Sequence, residues 1–368
     1  MRNQRTILFA ALAGVGSLML NGCGSSMHMS SQQPVPADVY VVGFDGTSAA
    51  LWKNGVETIL APNASANAVA VSGTDVYVGG MTNAQNGPLN SAYSNAAIWK
   101  NAVLTTLSSN NSQVDGLALA NGNVYAVGTS ANSGSAPALA TVWTNGQSTL
   151  LTDGNDPNFA VPLGTSGTAI AVSGSDVYVA GYATQCGIQS PGNNYCGGVA
   201  VYWKNGSPVN LGTIGPQSFG SFATGIAVSG SAVSISGVTG ASPLQGVVWQ
   251  NGTQVALNLP VGTGSLTSAV ALSGTSVYVA GGDDGSIAGY WANGSFTTFG
   301  IQTGTQFPVT SGIALNGSDV YVAGSLISSQ GPQSSAIYWK NGTGVLLPSQ
   351  STSARALAIA VVPQQAGS

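Results

Sequence analysis

Hydrophobic and polar positions alternate through most of this chain in one recurring pattern. It reads Ala-(Ile/Val)-Ala-Val-Ser-Gly-x-Asp-Val-Tyr-Val-Ala-Gly, then a variable segment, an apolar stretch ending Trp-Lys-Asn-Gly, and a short stretch ending in Leu. Period-two alternation bounded by Gly, Asn and Ser predicts short β-strands. Each copy contains four of them, as at 169–172, 176–181, 198–204 and 207–211.

The short connections within each copy indicate antiparallel hairpins. Ser-Gly-x-Asp joins the first strand to the second, and Asn-Gly joins the third to the fourth. Asn-Gly is the preferred two-residue hairpin turn because both residues tolerate positive φ. Four antiparallel strands in about 45 residues are typical of one blade of a β-propeller.

The copy number and the two ends of the pattern predict a closed ring. All seven Trp residues hold the same repeat position, and we expect them to pack between blades: Trp52, Trp99, Trp143, Trp203, Trp249, Trp291 and Trp339. The first copy lacks its first strand, which residues 355–362 supply. The sequence therefore predicts an all-β, seven-bladed β-propeller of four-stranded antiparallel blades over residues 38–362, followed by a tail at 363–368.

The N-terminal segment has the features of an export signal. Arg2 and Arg5 precede an apolar stretch over 7–20, and Leu20-Asn21-Gly22-Cys23 follows. These four residues resemble the bacterial lipobox. The resemblance implies a signal peptide at 1–22, lipid attachment at Cys23 and a flexible tether at 23–37. Residue 24 is Gly and not Asp. By the same resemblance, the lipoprotein should be sent on to the outer membrane of the cell envelope. An ordinary secretory signal is the alternative.

The repeat itself is similar to two families of bacterial extracellular propeller proteins. "AIAVSGSDVYVAGY", "AVYWKNGSPVNLGTIG" and "FATGIAVSG" resemble the HAF-type repeat, and the Val-Tyr-Val-x-Gly strand resembles kelch-like repeats. This chain lacks the His of the HAF-type repeat and, in most copies, the double Gly of the kelch repeat. The resemblance covers residues 38–362 and implies a propeller outside the cytoplasm, with no particular chemistry.

Charge is scarce, and its balance argues against nucleic acid as a partner. Only 5% of residues are charged, and removing Arg2 and Arg5 would leave five of the seven cationic residues against eleven acidic ones. Nucleic-acid binding requires a basic stripe, which this balance does not supply.

Candidate catalytic and metal-binding residues are few. The single His, His28, lies in the predicted tether, so no Ser–His or Cys–His arrangement and no His-based metal site is expected. Asp153 with Asp156, and Asp283 with Asp284, could hold Ca²⁺ through oxygen ligands. Neither pair has the spacing of a recognised calcium loop, and acidic turn residues are the alternative. No catalytic residue, metal or other cofactor is assigned.

Cys186 and Cys196 lie in one long segment of the fourth copy, between its second and third strands. An oxidising compartment outside the cytoplasm predicts a disulfide between them. Two free thiols or a metal-binding pair are the alternatives.

A four-stranded meander places its connections on two opposite faces. Turns after the first and third strands form the floor face. There Asp38, Asp75, Asp176 and Asp319, interpreted as caps of their own turns, lie beside Lys53, Lys100, Lys204 and Lys340. Loops after the second and fourth strands form the loop face, which is longer, more varied and acidic. The residues predicted to bind a ligand or a cation on this face are Asp45, Asp115, Asp153, Asp156, Asp283 and Asp284.

These observations favour a monomeric, non-enzymatic binding module at the cell envelope, attached to a membrane by its lipid. The ligand would be a protein, a glycan or a cation on the loop face, since binding residues concentrate on loops held by a rigid scaffold. A carbohydrate-active hydrolase or lyase on a propeller is one alternative, and a scaffold for outer-membrane assembly is another.

Overall fold

The computed structural model describes residues 37–84, 87–88, 93–109, 111–131, 137–152, 164–190, 193–212, 220–240, 243–260, 264–283, 286–299 and 306–364, without the side chains of 187–190 and 193–195. The predicted signal peptide, Cys23, His28 and nearly all of the tether lie outside this range. No helix among the described residues is long and apolar enough to cross a membrane.

Twenty-eight strands form seven antiparallel sheets of four, here called blades one to seven. Blade one contains β28 (Ala354–Pro363), β1 (Ala37–Asp45), β2 (Ser48–Lys53) and β3 (Val56–Ala61). Blade two contains β4 (Ser65–Ser72), β5 (Asp75–Thr82), β6 (Asn95–Lys100) and β7 (Val103–Ser108). Blade three contains β8 (Ser112–Ala120), β9 (Asn123–Ser130), β10 (Leu139–Thr144) and β11 (Gln147–Leu151). Blade four contains β12 (Thr165–Ser173), β13 (Asp176–Ser190), β14 (Asn193–Lys204) and β15 (Ser207–Asn210).

Blade five contains β16 (Ser221–Ser229), β17 (Ala232–Thr239), β18 (Gln245–Gln250) and β19 (Thr253–Ala256). Blade six contains β20 (Leu266–Ser273), β21 (Ser276–Gly282), β22 (Ala288–Ala292) and β23 (Ser295–Thr298). Blade seven contains β24 (Gln306–Asn316), β25 (Asp319–Ser328), β26 (Ser334–Lys340) and β27 (Thr343–Leu346). The predicted seven-bladed β-propeller is confirmed. Its closure is confirmed too, since β28 pairs antiparallel with β1.

The hairpin between the third and fourth strands is the same in every blade. Its Asn adopts positive φ in all seven, between 48° and 51°. In all seven the Asn side-chain oxygen also accepts a hydrogen bond from a backbone N–H of the second strand, as from Val177 to Asn205 at 2.9 Å. The next residue is Gly in six blades and Ala102, at φ 65°, in blade two. The Asn therefore both forms its turn and connects the two floor-face turns of its blade.

Each Trp packs between two blades, as the repeat predicts. Seven clusters of buried hydrophobic residues occupy the seven interfaces between blades. Each cluster contains one Trp of the blade that follows around the ring, with blade one following blade seven. The indole N–H of Trp52 donates to the Pro348 carbonyl, and those of Trp203 and Trp291 bond similarly to the preceding blade. Burial of these indole side chains supplies much of the hydrophobic contact that holds the blades together.

One backbone irregularity repeats in all seven innermost strands. Each contains a β-bulge, in which one residue is left out of the pairing with the second strand. A Gly of the second strand lies opposite every bulge: Gly43, Gly80, Gly128, Gly181, Gly237, Gly281 and Gly324. A Cβ at Gly181 would lie 1.9 Å from the Ser166 carbonyl oxygen, so the Gly of the Val-Tyr-Val-x-Gly pattern is required sterically.

Candidate functional site

Four identical charged clusters occupy the floor face. In blades one, two, four and seven, a Lys at the end of the third strand pairs with the Asp that starts the second strand, at 2.7–3.4 Å. The Lys ammonium also lies 5.2–5.3 Å from the centre of a Tyr ring. Hydrogen bonds from Lys340 and Asn341 lower the pKa of Asp319. Each cluster thus neutralises its own charge.

The Asp and the Lys of these clusters occur together or not at all. The blades without the Asp carry Asn123, Ala232 and Ser276 there, and they also lack the Lys, which is Thr144, Gln250 and Ala292. The interpretation of each Asp as a cap of its own turn is therefore wrong. These carboxylates bind the Asn and Lys of the other hairpin, as Asp176 does with Asn205 at 2.8 Å and Lys204 at 2.8 Å.

The bulge residues of the innermost strands line the central channel. We call them the channel belt: Asn67, Asp115, Thr168, Thr224, Ser268, Ser311 and Leu357. They surround a cavity of about 220 Å³. Asp115 is the fourth residue of β8, counted from the loop face, so the belt lies roughly 10 Å inside the channel mouth.

Five belt side chains connect neighbouring blades. Each bonds to the residue that immediately precedes the bulge of the next blade. Asn67, Thr168 and Ser311 donate to the backbone carbonyls of Val114, Ala223 and Ala356 at 2.7–3.0 Å. Thr224 and Ser268 pair with the hydroxyls of Thr267 and Thr310 at 2.9–3.1 Å. These five bonds form a nearly continuous polar ring around the channel.

Asp115 breaks the symmetry of this ring. As an anion it has no proton to donate to blade four, and the corresponding residue there is Gly167, which has no side chain. Among the described residues its hydrogen bonds come from the Gln113 amide alone, at 2.8 and 3.0 Å. Burial raises the pKa of Asp115 to about 7, although the bond from Gln113 opposes this. The sequence prediction that placed Asp115 in a surface loop is therefore wrong.

Asp45 lies on the loop face, but both oxygens of its carboxylate already accept hydrogen bonds. It is buried, and its carboxylate accepts bonds from Ser349 Oγ at 2.7 Å, the Gln350 N–H at 2.6 Å, the Ser351 N–H at 3.2 Å and Ser351 Oγ. Burial opposes ionisation, but these bonds outweigh it and lower the pKa of Asp45. Asp45 thus fixes the segment that leads into the closing strand β28.

Glu57, the single Glu, lies beside Asp45. Gln350 donates to Glu57 at 3.4 Å. Burial and the negative charge of Asp45 raise the pKa of Glu57. Because residues 45 and 57 belong to different strands of blade one, sequence spacing alone did not indicate that the two carboxyl groups are neighbours.

The Asp283 carboxylate is hydrogen-bonded within its own loop. It accepts bonds from the backbone N–H groups of Ser286 and Ile287 at 2.6 and 2.5 Å, which shape the loop between β21 and β22. Asp153, Asp156 and Asp284 lie outside the described residues. No group of three or more His, Cys, Asp or Glu side chains that could hold a metal ion occurs in the described part of the chain.

The Cys186–Cys196 disulfide is confirmed. The two residues lie in the strands β13 and β14 rather than in a loop, and they are directly opposite each other, with their Cα atoms 4.0 Å apart. These strands are 15 and 12 residues long, whereas β5 and β6 in blade two are 8 and 6. The disulfide therefore crosses an extended hairpin on the loop face.

A second cavity, of about 320 Å³, lies between blades five and six. It is lined by apolar residues such as Val277 and Val279, by Trp291, and by uncharged polar residues such as Gln250. The residues lining the channel cavity, in contrast, include the carboxylate of Asp115. Of these two cavities, the channel is therefore the better candidate for binding a polar or charged ligand.

Comparison with known proteins supports the fold. No protein-family model and no curated protein sequence matches the chain. The β-propeller domain of the Trilobed protease from Pyrococcus furiosus is similar, with a TM-score of 0.51 and 11% identity over 86% of this chain and 93% of that one. An acylaminoacyl peptidase from Pyrococcus horikoshii matches with a TM-score of 0.48 and 11% identity over 86% of this chain and 52% of its own. AztD from Citrobacter koseri matches with a TM-score of 0.41 and 11% identity, over 89% of this chain and 98% of that one. Likeness at this identity concerns the fold alone.

Proposed function

We propose that this protein is a non-enzymatic binding module of the bacterial cell envelope, anchored through a lipid on Cys23, and that its partner binds on the loop face. The partner is a protein, a glycan or a cation, and the propeller acts as a rigid monomeric ring.

The difference in charge pairing between the two faces carries the proposal. All four Asp residues of the floor face are paired with Lys. Asp115, which lies nearer the loop-face end of β8 than its floor-face end, has no cation beside it among the described residues. A face whose charges are already neutralised offers a partner little electrostatic gain, whereas an unpaired carboxylate gains from a complementary group.

The shape of the loop face supports the same conclusion. It carries the long hairpin of β13 and β14, held by the Cys186–Cys196 disulfide, and the varied connections between blades. A crosslinked hairpin is pre-ordered, so a partner that contacts it loses less conformational entropy on binding. The floor face repeats one short turn geometry seven times.

Site-specific photo-crosslinking in living cells tests the binding face. A benzophenone amino acid would replace Gln330, which is exposed on the loop face, or Ser175, which is exposed in a floor-face turn. We expect one discrete crosslinked species from position 330 and none from 175. Crosslinks from position 175 alone would mean that the binding face has been assigned to the wrong side of the ring.

The anchor is tested separately with Cys23→Ser. We expect the wild-type protein to incorporate labelled palmitate and to sediment with membranes, and the variant to lose both properties. Unchanged membrane association of the variant would contradict lipid attachment at Cys23. The Cys186→Ser/Cys196→Ser variant is the control, because it removes the other two cysteines without affecting the anchor.

A further inference from the structure

The channel belt contains one charged position among seven, and this determines which kind of ligand it can stabilise. No other ionisable side chain is among the described residues that line the cavity. The floor-face ends of the strands packed against β8 carry Asp75, Tyr77, Lys100 and Tyr125. Asp75 and Lys100 already pair with each other at 2.7 Å. A single ionisable carboxyl group therefore faces the cavity without a counterion.

The hydrogen-bonding capacity of Asp115 is also incomplete. An ionised carboxylate offers about four acceptor positions, and the Gln113 amide occupies part of them through one nitrogen. The hydroxyls of Thr168 and Ser311 donate to backbone carbonyls, so their oxygens still have lone pairs for a donor inside the channel. The belt thus presents acceptors to a ligand that brings several donors.

We propose that the channel belt binds a primary alkylammonium group, with Asp115 as its counterion. The proposal deepens the proposed function, because it names the ligand group that the loop-face side of the ring would recognise.

Charge and lining favour an ammonium group over a metal ion. One carboxylate balances one positive charge, whereas a divalent cation in the channel would keep an uncompensated charge away from bulk water. Ca²⁺ also needs six to eight oxygen ligands and usually several carboxylates. An alkylammonium ion brings three N–H donors and an apolar chain, and the residues that line the cavity include the apolar Leu357, Val69 and Leu117.

The ammonium group has two plausible sources in chemical terms, a free small amine or a lysine side chain of a partner protein. The belt lies roughly 10 Å inside the mouth, so a lysine would have to enter on a narrow, extended segment. Calorimetric titration with n-butylammonium chloride and with the capped peptide acetyl-Gly-Lys-Gly-amide separates these sources. Binding of either probe supports the site, and the tighter one identifies the source.

Three variants make the titration specific. Asp115→Asn is nearly isosteric, and Asp115→Leu copies the residue that blade one carries at the same belt position, Leu357. We expect both to weaken binding by about 10- to 100-fold, as for loss of a charged hydrogen bond. Asp176→Asn removes the same charge from the floor face and should change affinity by less than about twofold. Melting curves of each variant confirm that the ring is intact.

The pH dependence gives a second measurement. Only ionised Asp115 can pair with the ammonium group, so binding should strengthen as pH rises from about 6 to about 8 and should release a proton below neutrality. Equal heats in buffers of different ionisation enthalpy at pH 6 would contradict this. Failure of both probes to bind, equal binding by Asp115→Leu, or tighter binding of CaCl₂ than of n-butylammonium would overturn the inference. The crosslinking result at position 330 is unaffected by any of these outcomes.

Discussion

The floor face and the channel belt are both built from repeated positions, yet they treat charge in opposite ways. On the floor face, Asp and Lys are present together in four blades and absent together in three. In the belt, six uncharged residues surround one carboxylate, Asp115. Paired gain and loss indicates a structural role, because each cluster satisfies itself. Asp115 departs from the repeat in one blade only and has no paired charge, so it does not stabilise its blade. For this reason Asp115 is the better functional candidate.

The largest expected effect distinguishes a Gly opposite a bulge from a Gly in a floor-face turn. Gly181→Ala would place a Cβ 1.9 Å from the Ser166 carbonyl oxygen at the bulge. Gly174→Ala, in a floor-face turn at φ 59°, meets no atom within 4 Å. We expect a loss of about 3 kcal/mol in free energy of unfolding for the first and about 1 kcal/mol for the second, measured by urea denaturation. Similar losses for both would mean that the bulge backbone adapts and that its Gly is not required sterically.

The next prediction concerns Asp115 and the stability of the protein. Its raised pKa means that the folded state holds a proton the unfolded chain has lost, so stability falls as pH rises from about 4 to about 7. The full shift corresponds to about 4 kcal/mol, which partial solvation in the channel reduces to about 2 kcal/mol. Asp115→Asn should therefore stabilise the ligand-free protein at pH 8 and remove this pH dependence.

Asp319→Asn is the matched floor-face variant, and it should have the opposite sign. Hydrogen bonds from Lys340 and Asn341 lower the pKa of Asp319, so its contribution is present above the unfolded pKa and is lost as pH falls towards 3. Because the pair is partly exposed, we expect a loss of less than about 1 kcal/mol at pH 8. If thermal melts at pH 8 gave both variants the same sign, the contrast between the two regions would be incorrect.

Much of the fold could be predicted from the sequence, because seven Trp residues at one repeat position and seven Asn turns report on local structure in every copy. Period-two alternation also located most strands. The bulges could not be predicted, since an inserted residue leaves no sign in composition. For that reason the sequence pattern places Asp115 in a loop, although it lies in β8. The pairing of Asp45 with residues 349–351 joins distant segments, which a single sequence does not reveal.

The disulfide should have a smaller effect on the ring than on its own hairpin. It closes a segment with a sequence separation of 10, for which the chain-entropy model gives at most about 3 kcal/mol. Because β13 and β14 extend beyond the blade there, most of this free energy should order the hairpin itself. We expect Cys186→Ser/Cys196→Ser to lower the melting temperature by only a few degrees. Amide exchange should accelerate at 184–198 and remain unchanged in β8. Accelerated exchange throughout the ring would contradict a local role.

The last expected effect is a stabilising one on the floor face. Ala102 is at φ 65° where the other six blades have Gly. Ala102→Gly should relieve this strain and add about 1 kcal/mol to the free energy of unfolding. Gly206→Ala, at φ 83° in the same turn of blade four, should lose a similar amount. Urea midpoints of the two variants measure this, and a loss in both would show that Ala102 makes a contact that outweighs its strain.

The pairing of β1 with β28 also constrains how the protein folds. Asp45 and Ser351 are 306 residues apart, so blade one has to wait for the end of the chain while blades two to seven complete their sheets locally. The entropy lost on joining distant segments grows only slowly with their separation, but such contacts slow the folding rate. The bonds from Ser349, Gln350 and Ser351 to Asp45 hold β28 at the edge of β1. The closing seam is therefore expected to form last in the folding reaction.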